Sequence, residues 1–244
     1  MIFEVCIDSA EGALAAQAGG AQRVELCANL VEGGTTPSLG MIQTTRKVVS
    51  IDVNVIIRPR GGDFFYSALE FEGICQDILA ARQAGANGVV IGLLLTDGRI
   101  DVSRTRQLIE LARPLSVTFH RAFDMCRDVD EGLESLVELG VDRILTSGKK
   151  ASVTEGASCI AHLVRKSSGR IKIMAGGGIN ASNITNIVAA TGVDEVHFSA
   201  RKVVKSPMTF HNLDCFMGKA YQPNEYEQKS TDANLVHEVI ASLR

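Results

Sequence analysis

The stretch Gly140–Ile144, with the sequence Gly-Val-Asp-Arg-Ile, lies where a helical pattern ends and an apolar run begins. Related stretches occur at Gly20–Val24, Gly85–Val89 and Gly192–Val196. In each of them the glycine can end a helix in the left-handed conformation before a strand begins. The four stretches precede the second, fourth, sixth and eighth of eight short apolar runs. This spacing indicates a regular alternation of helix and strand.

Each apolar run is rich in Val, Ile, Leu or Phe and is short enough to be a strand. The predicted strands are Ile2–Ile7, Arg23–Cys27, Val53–Arg58, Gly88–Gly92, Leu115–His120, Asp142–Thr146, Arg170–Ala175 and Asp194–Ser199. Alanine-rich or helically spaced apolar residues predict helices between and after them. These are Ala10–Ala18, Leu69–Ala84, Val102–Ala112, Val129–Leu139, Ala157–Arg165, Ala181–Ala190 and Ala233–Leu243.

This alternation in a chain of 244 residues predicts an α/β fold, a (β/α)8 TIM barrel, as a single domain over residues 1–244. A doubly wound open sheet is the alternative. It usually needs fewer strand–helix units, and no Gly-x-Gly-x-x-Gly motif follows the first strand. Residues 200–229 follow the last strand without clear periodicity, and they are predicted to be a long loop that serves as a lid, a short extra helix or an interface.

Composition excludes several classes of partner. The net charge is −3, which argues against nucleic acid and anionic membranes as main partners, since both require a positive surface. Aromatic residues make up 5% of the chain and Trp is absent, which argues against base stacking. The first residues do not form a secretory signal, so we expect a soluble cytoplasmic protein without a membrane span. Homo-oligomer formation is left open.

Alternation within the strands turns unusually many polar side chains into the barrel. Arg23, Glu195 and His197 are turned inward in this way. So are Glu4, Glu25, Arg58 and His120, because their neighbours in sequence are apolar and should face the helices. Buried charges must be paired, so one interpretation is an interior ion-pair network of Glu4, Glu25 and Arg58. The other is a reaction or ligand at the C-terminal mouth, where barrel active sites lie. All four are then candidate catalytic residues, with carboxylates and His for acid–base chemistry and Arg58 for an anion.

An anion site is predicted at the same mouth. A glycine-rich turn, Gly176, Gly177 and Gly178, follows the seventh strand, where TIM barrels often bind phosphate, and Ser199 ends the eighth. Arg60, in the loop after the third strand, can add a forked donor beside Arg58. A rigid turn closed by an Arg–Asp pair is an equal alternative for that loop.

Two cysteines are candidate metal ligands. Cys6 and Cys27 occupy corresponding ends of adjacent parallel strands and both point inward, which places their Cα atoms roughly 5–7 Å apart. Two thiolates at that distance suit Cu(I), a soft ion that accepts few ligands. The alternative is that they are two small buried apolar side chains. Structural disulfides are not expected in a reducing compartment.

The chain resembles the CutC family of copper homeostasis proteins from its first to its eighth strand. The resemblance is carried by several long runs: Glu4-Val5-Cys6, Arg23-Val24-Glu25-Leu26-Cys27, Glu32–Ser38, Ile57–Phe64, Thr118–Asp124, Leu145–Gly148 and Met174–Gly178. It implies a TIM barrel with a role in cytoplasmic copper handling.

Three functions therefore remain in competition. The first is a copper-binding protein that uses Cys6 and Cys27, as the family resemblance favours. The second is an enzyme acting on a small anionic or phosphorylated substrate, with Arg58 and Arg60 holding the anion. The polar mouth fits this enzyme better than a metal carrier, which needs only its ligands. The third is a binding scaffold without chemistry.

Overall fold

Eight parallel strands form a closed barrel in the computed structural model, which describes residues 1–212, 214, 215 and 224–243. The strands are β1 (Ile2–Ile7), β2 (Arg23–Leu26), β3 (Asp52–Ile56), β4 (Gly88–Ile91), β5 (Ser116–Phe119), β6 (Arg143–Thr146), β7 (Lys172–Gly176) and β8 (Glu195–Phe198). Each strand pairs with the next in sequence, and β8 pairs with β1. The predicted TIM barrel is confirmed.

Helices alternate with the strands and end the described chain. They are α1 (Ala10–Ala18), α2 (Leu39–Val48), α3 (Ala68–Gln83), α4 (Val102–Ala112), α5 (Val129–Glu138), α6 (Val153–Ser167), α7 (Ile184–Thr191) and α8 (Ala233–Ala241). No helix in the described residues has the length and apolar character needed to cross a bilayer.

Local sequence accounts for where the helices start and stop. Ser67 begins α3 in a capping box: its hydroxyl accepts from the Glu70 amide, and the Glu70 carboxylate accepts from the Ser67 amide. Asp128 begins α5 by accepting from two main-chain amides. The glycines of the fourfold stretch, Gly20, Gly85, Gly140 and Gly192, have φ between 72° and 98°. These glycines lie between helix and strand as predicted, because this φ region is open to residues without a Cβ.

Helix α2 is missing from the predicted elements. Its apolar signal is weak, since Ile42 and Thr45 are its buried residues. Ser38 nevertheless caps it by accepting from the Met41 amide. Other predicted boundaries differ at helix starts: α6 begins at Val153 instead of Ala157, and α7 begins at Ile184 instead of Ala181.

The core lies mainly between the barrel wall and the surrounding helices. Val5, Val24, Val117 and Val196 belong to this layer and are fully buried, as alternation along the strands predicts. A second, small apolar cluster lies inside the barrel near the mouth, with Cys27, Ile56 and Val90 at its centre and Cys6 and Leu30 packed against it. The two clusters show that successive side chains of one strand enter different layers.

The segment after β8 differs from the predicted loop over 200–229. Strand β9 (Arg201–Lys205) pairs antiparallel with β10 (Glu227–Thr231), so both ends of the segment are strands. Four of the five β9 residues are exposed, and none of the apolar alternation of a half-buried strand is present. This explains why the periodicity of the sequence did not reveal it. The middle of the predicted loop includes residues 213 and 216–223, which lie outside the described residues.

Candidate functional site

A pocket of about 1060 Å³ opens at the C-terminal ends of the strands. The residues predicted for the site that line it are Cys6, Glu25, Arg58, His120, Gly177, Gly178 and Ser199. Apolar side chains from the loops supply much of the remaining wall, namely Leu30, Ile56, Phe64, Phe65, Leu94, Leu95, Met125, Leu145, Ile179 and Phe198. Such a mixture of apolar wall and few polar groups is typical of small-ligand sites.

Beneath the pocket, four buried charges form a continuous chain that we call the floor network: Glu4, Arg23, Glu195 and Arg143. Arg23 Nε donates to Glu4 Oε2, and Arg23 Nη2 lies 2.5 Å from Glu195 Oε2. Arg143 Nε approaches the same Glu195 oxygen at 2.8 Å. Arg23, Arg143 and Glu195 are the first residues of their strands, so the network lies toward the end of the barrel opposite the mouth. Each buried charge has a partner of opposite sign, which offsets its desolvation.

His197 joins the floor network to the mouth. Its Nδ1 lies 2.8 Å from Glu4 Oε1, and its Nε2 lies 3.5 Å from Glu25 Oε2. Burial by itself lowers the pKa of His197, but hydrogen bonds to Cys6 and Glu4 and the nearby carboxyl groups raise it well above its usual value. The same contact with His197, together with Arg23, lowers the pKa of Glu4 to about 2 against the opposing effect of burial. His197 is therefore an imidazolium beside a carboxylate.

The two candidate thiols meet at the edge of the pocket. Cys6 Sγ and Cys27 Sγ are 3.8 Å apart, and neither sulfur belongs to a disulfide. The hydrogen bond from Cys27 lowers the pKa of Cys6 to about 5, with His197 assisting and burial opposing. The same bond, together with burial, raises the pKa of Cys27 well above its usual value. The two opposite shifts favour a Cys6 thiolate that accepts a hydrogen bond from the Cys27 thiol.

Glu25 stands beside both the thiols and His197. Burial raises the pKa of its carboxyl to about 8, even though His197 opposes the shift. Its Oε1 is buried and finds no hydrogen-bond partner within the described chain. One donor atom each from Cys6, Glu25 and Cys27 lies within 4.8 Å of the others, and the same holds for Glu4, Glu25 and His197. Glu25 is the member common to both clusters.

Arg58 does not form the predicted ion pairs with Glu4 and Glu25. Its Nη1 donates to the carbonyls of Glu32 and Gly34, both at 2.8 Å, and its Nη2 donates to Gly62 O at 3.0 Å. The physical reason is that β3 ends at Ile56, two residues earlier, so Arg58 already belongs to the loop layer. The partner of Glu4 is instead Arg23, which lies opposite Glu4 in the register of β1 and β2.

Arg60 is not among the described residues that line the pocket. Its Nε lies 2.5 Å from Glu70 Oε1 on α3, and its Nη2 lies 3.1 Å from Asp63 Oδ1. The Arg–Asp pair anticipated as the alternative for this loop is thus present. Gly177 and Gly178 line the pocket with φ of 111° and 91°, but α7 begins six residues after Gly178. The anion site at Gly176–Gly178 and Ser199 stays a prediction.

His120 is buried to 5% exposure at the pocket wall, in the layer after β5. Its Nδ1 accepts from the Ala122 amide at 3.1 Å. Burial, and then the charge of Arg58, lower the pKa of His120 to about 3. Gly92 makes room for the ring, because a Cβ there would lie 2.3 Å from His120 Cε1.

Three residues of the site were placed inside the barrel by strand alternation but not chosen as candidates: Arg23, Glu195 and His197. Their importance comes from contacts between strands distant in sequence, which alternation does not specify. A further buried group, Asp124, ends the stretch Thr118–Asp124 but is not among the candidate residues. It accepts from Thr146 Oγ1 at 2.5 Å and from Ser147 Oγ at 2.9 Å, and so ties the loop after β5 to that after β6.

Comparison with known proteins agrees with this architecture. The family model described as CutC family matches residues 1–202. A family protein CutC from Bacteroides fragilis is 50% identical over 99% of this chain and 97% of its own length. The human copper homeostasis protein cutC homolog is 47% identical over 96% of this chain and 86% of its own length.

Solved structures give the same result. The crystal structure of CutC from Streptococcus agalactiae superposes with a TM-score of 0.78 at 36% identity, covering 82% of this chain and 98% of the other. The structure of N-(5'-phosphoribosyl)anthranilate isomerase from Pyrococcus furiosus has a TM-score of 0.60 at 15% identity, covering 100% of this chain and 98% of the other, and it shares the fold alone. With the family model, the relatives and the solved structure in agreement, the chain belongs to the CutC family.

Proposed function

We propose that this protein acts in cytoplasmic copper homeostasis by binding Cu(I) between Cys6 and Cys27 at the barrel mouth. The observation that carries the proposal is the pair of free sulfurs 3.8 Å apart beside an open pocket. The human and mouse relatives are named copper homeostasis proteins, which supports the role. The role requires a reducing compartment, because the thiols must stay unoxidised to bind.

The spacing of the sulfurs suits a single shared ion. Metal–thiolate bonds of about 2.3 Å place two sulfurs about 3.8 Å apart at a tetrahedral angle, and farther apart at wider angles. Thiolates are soft ligands, and soft ligands select Cu(I). Glu25 supplies the third donor within 4.8 Å, although its oxygen is a harder ligand.

The neighbouring charges support one thiolate before the ion arrives. Cys6 is deprotonated at neutral pH because its pKa lies near 5. The positive charge of His197 stabilises the Cys6 thiolate. His197 Nδ1 in turn lies 2.8 Å from Glu4 Oε1. Cu(I) would then need to displace one proton, that of Cys27, to gain its second sulfur ligand. Binding of Cu(I) is therefore linked to the release of one proton.

The test is competition for Cu(I) against a chromogenic chelator under anaerobic conditions. The double substitution Cys6→Ser and Cys27→Ser should remove high-affinity binding, because oxygen ligands bind soft ions poorly. The matched control is Cys75→Ser with Cys159→Ser, two cysteines on α3 and α6, which should bind as the unmodified protein does. Equal affinity of both double variants would contradict the proposal.

A further inference from the structure

Two side chains in the pocket wall, His120 and Arg58, each have a buried nitrogen without a hydrogen-bond partner among the described residues. Nδ1 of His120 accepts a main-chain hydrogen bond, so the ring is neutral and its proton resides on Nε2. That Nε2 is buried and has no hydrogen-bond partner in the described part of the chain. A buried N–H without an acceptor costs free energy, so an acceptor from outside would be stabilising.

Arg58 is the second group. The residue is 5% exposed and lines the pocket. Its guanidinium donates to three main-chain carbonyls, while its Nε is unpartnered. No carboxylate within residues 1–212 forms an ion pair with it. A buried positive charge without a counter-charge is costly, and the carbonyl dipoles offset only part of that cost. The wall therefore holds one unbalanced positive charge.

Phe64 brings the two groups to the same side of the pocket. The Arg58 guanidinium carbon lies 5.1 Å from the centre of the Phe64 ring, and the His120 ring centre is also 5.1 Å from it. Both groups thus contact one aromatic ring that itself lines the pocket.

The other cations that line the mouth are already paired with carboxylates. Arg201 Nη2 lies 2.5 Å from Asp8 Oδ2, and Arg121 Nε lies 2.8 Å from Asp124 Oδ2. Glu32 is exposed at the rim and accepts from Asn29. Among the described residues that line the pocket, Arg58 is therefore the cation without an ion pair, and much of the surrounding wall is apolar.

We propose that the wall formed by Arg58, Phe64 and His120 binds the carboxylate of a small organic monoanion whose apolar body fills the pocket. One carboxylate oxygen accepts from His120 Nε2, and the negative charge balances Arg58. Phe64, Phe65, Leu94 and Met125 receive the apolar part. A monoanion matches the single unbalanced charge better than a phosphate dianion. This inference goes beyond copper binding and does not depend on it.

The experiment measures ligand-dependent melting temperature and titration calorimetry with phenylacetate, its neutral analogue phenylacetamide and inorganic phosphate. Phenylacetate should stabilise the protein saturably, because a ligand of the native state alone raises stability. Phenylacetamide and phosphate should bind at least about tenfold more weakly, since hydrogen bonds to charged groups are the stronger ones. Equal affinity of either probe, or no saturable effect of phenylacetate, would overturn the proposal.

Substitutions then locate the site. His120→Phe keeps the ring but removes the N–H and should weaken phenylacetate binding about tenfold or more. His162→Phe on α6, outside the pocket lining, is the matched control and should bind normally. In the unmodified protein, the ¹H–¹⁵N signal of His120 Nε2 should shift during the titration, which tests the contact even if His120→Phe folds poorly. An unmoved Nε2 signal, or unchanged phenylacetate binding in a folded His120→Phe protein, would overturn the assignment.

Discussion

The floor network and the mouth of this barrel both contain buried ionisable residues, but these residues are paired in the floor network and partly unpaired at the mouth. In the floor network, Glu4 and Glu195 each contact an arginine, and the charges alternate in sign. At the mouth, Glu25 and His120 each keep a buried polar atom without a partner. The floor is a satisfied structure, whereas the mouth has donors and acceptors left for a ligand. Burial alone therefore does not mark a functional group; a buried polar atom that lacks a partner and belongs to a residue lining the pocket is the stronger sign.

The largest effect should come from breaking the floor. Arg23→Met removes the partner of both Glu4 and Glu195 and leaves buried carboxylates, which should cost about 3–5 kcal/mol of unfolding free energy. Urea denaturation monitored by circular dichroism measures this loss. The control is Arg170→Met, which breaks an exposed pair with Glu134 and should cost far less, because water solvates the freed carboxylate. Similar losses for both variants would show that the floor network does not carry the stability assigned to it.

At the mouth, the affinity for Cu(I) should rise with pH. The pKa of Cys27 lies well above its usual value, so the second thiol is protonated at neutral pH and must lose its proton on binding. Affinity should increase about tenfold per pH unit in the neutral range, as displacement of one proton requires. Chelator competition at several pH values measures the slope. A flat profile would mean that Cys27 is not a ligand.

A smaller effect on stability should distinguish Glu25 from Glu4 and Glu195, the two paired acids of the floor network. Its pKa is near 8 in the folded protein and near 4.3 when unfolded, so between these values the folded state binds more protons and stability falls as pH rises. Glu25→Gln removes this dependence. The variant should gain more than about 1 kcal/mol over the unmodified protein as pH rises from 5 to 8, since one pKa unit corresponds to about 1.36 kcal/mol.

Cys6→Ser should change the pH dependence of stability in the opposite direction, measured by the same denaturation experiments. The pKa of Cys6 is lowered to about 5, so above that pH the folded state binds fewer protons than the unfolded chain and stability rises with pH. The serine variant should therefore lose stability relative to the unmodified protein as pH rises. If Glu25→Gln and Cys6→Ser changed in the same direction, the assigned protonation states would be wrong.

The barrel was predictable because its signals are local and periodic. Glycine at the end of a helix and apolar alternation in a strand are both read from a few neighbouring residues, as at Gly140 and in β1. Helix α2 and strands β9 and β10 lack that periodicity, since most of their residues are exposed. Their positions depend on tertiary contacts that the sequence pattern does not encode.

Alternation in the sequence predicted which side chains of the site point into the barrel, but not which of them contact one another. Alternation placed Glu4, Cys6 and Glu25 inside the barrel, and it also turned His197 inward. It could not specify which inward groups meet, because this depends on the register of paired strands and on barrel closure. Arg58 is an example: one of the two interpretations paired it with carboxylates, but its position two residues beyond β3 directs it to loop carbonyls.

The pairing of β8 with β1, which closes the barrel, sets the earliest moment at which the fold can be completed during synthesis. Glu4 emerges early from the ribosome, while its partner His197 is encoded 193 positions later. At about 5–20 residues per second, that interval lasts roughly 10–40 s. Throughout it the first strand has no eighth strand beside it, and Glu4 has Arg23 within reach but not His197. A nascent chain therefore cannot close the barrel around β1 until β8 has been synthesised.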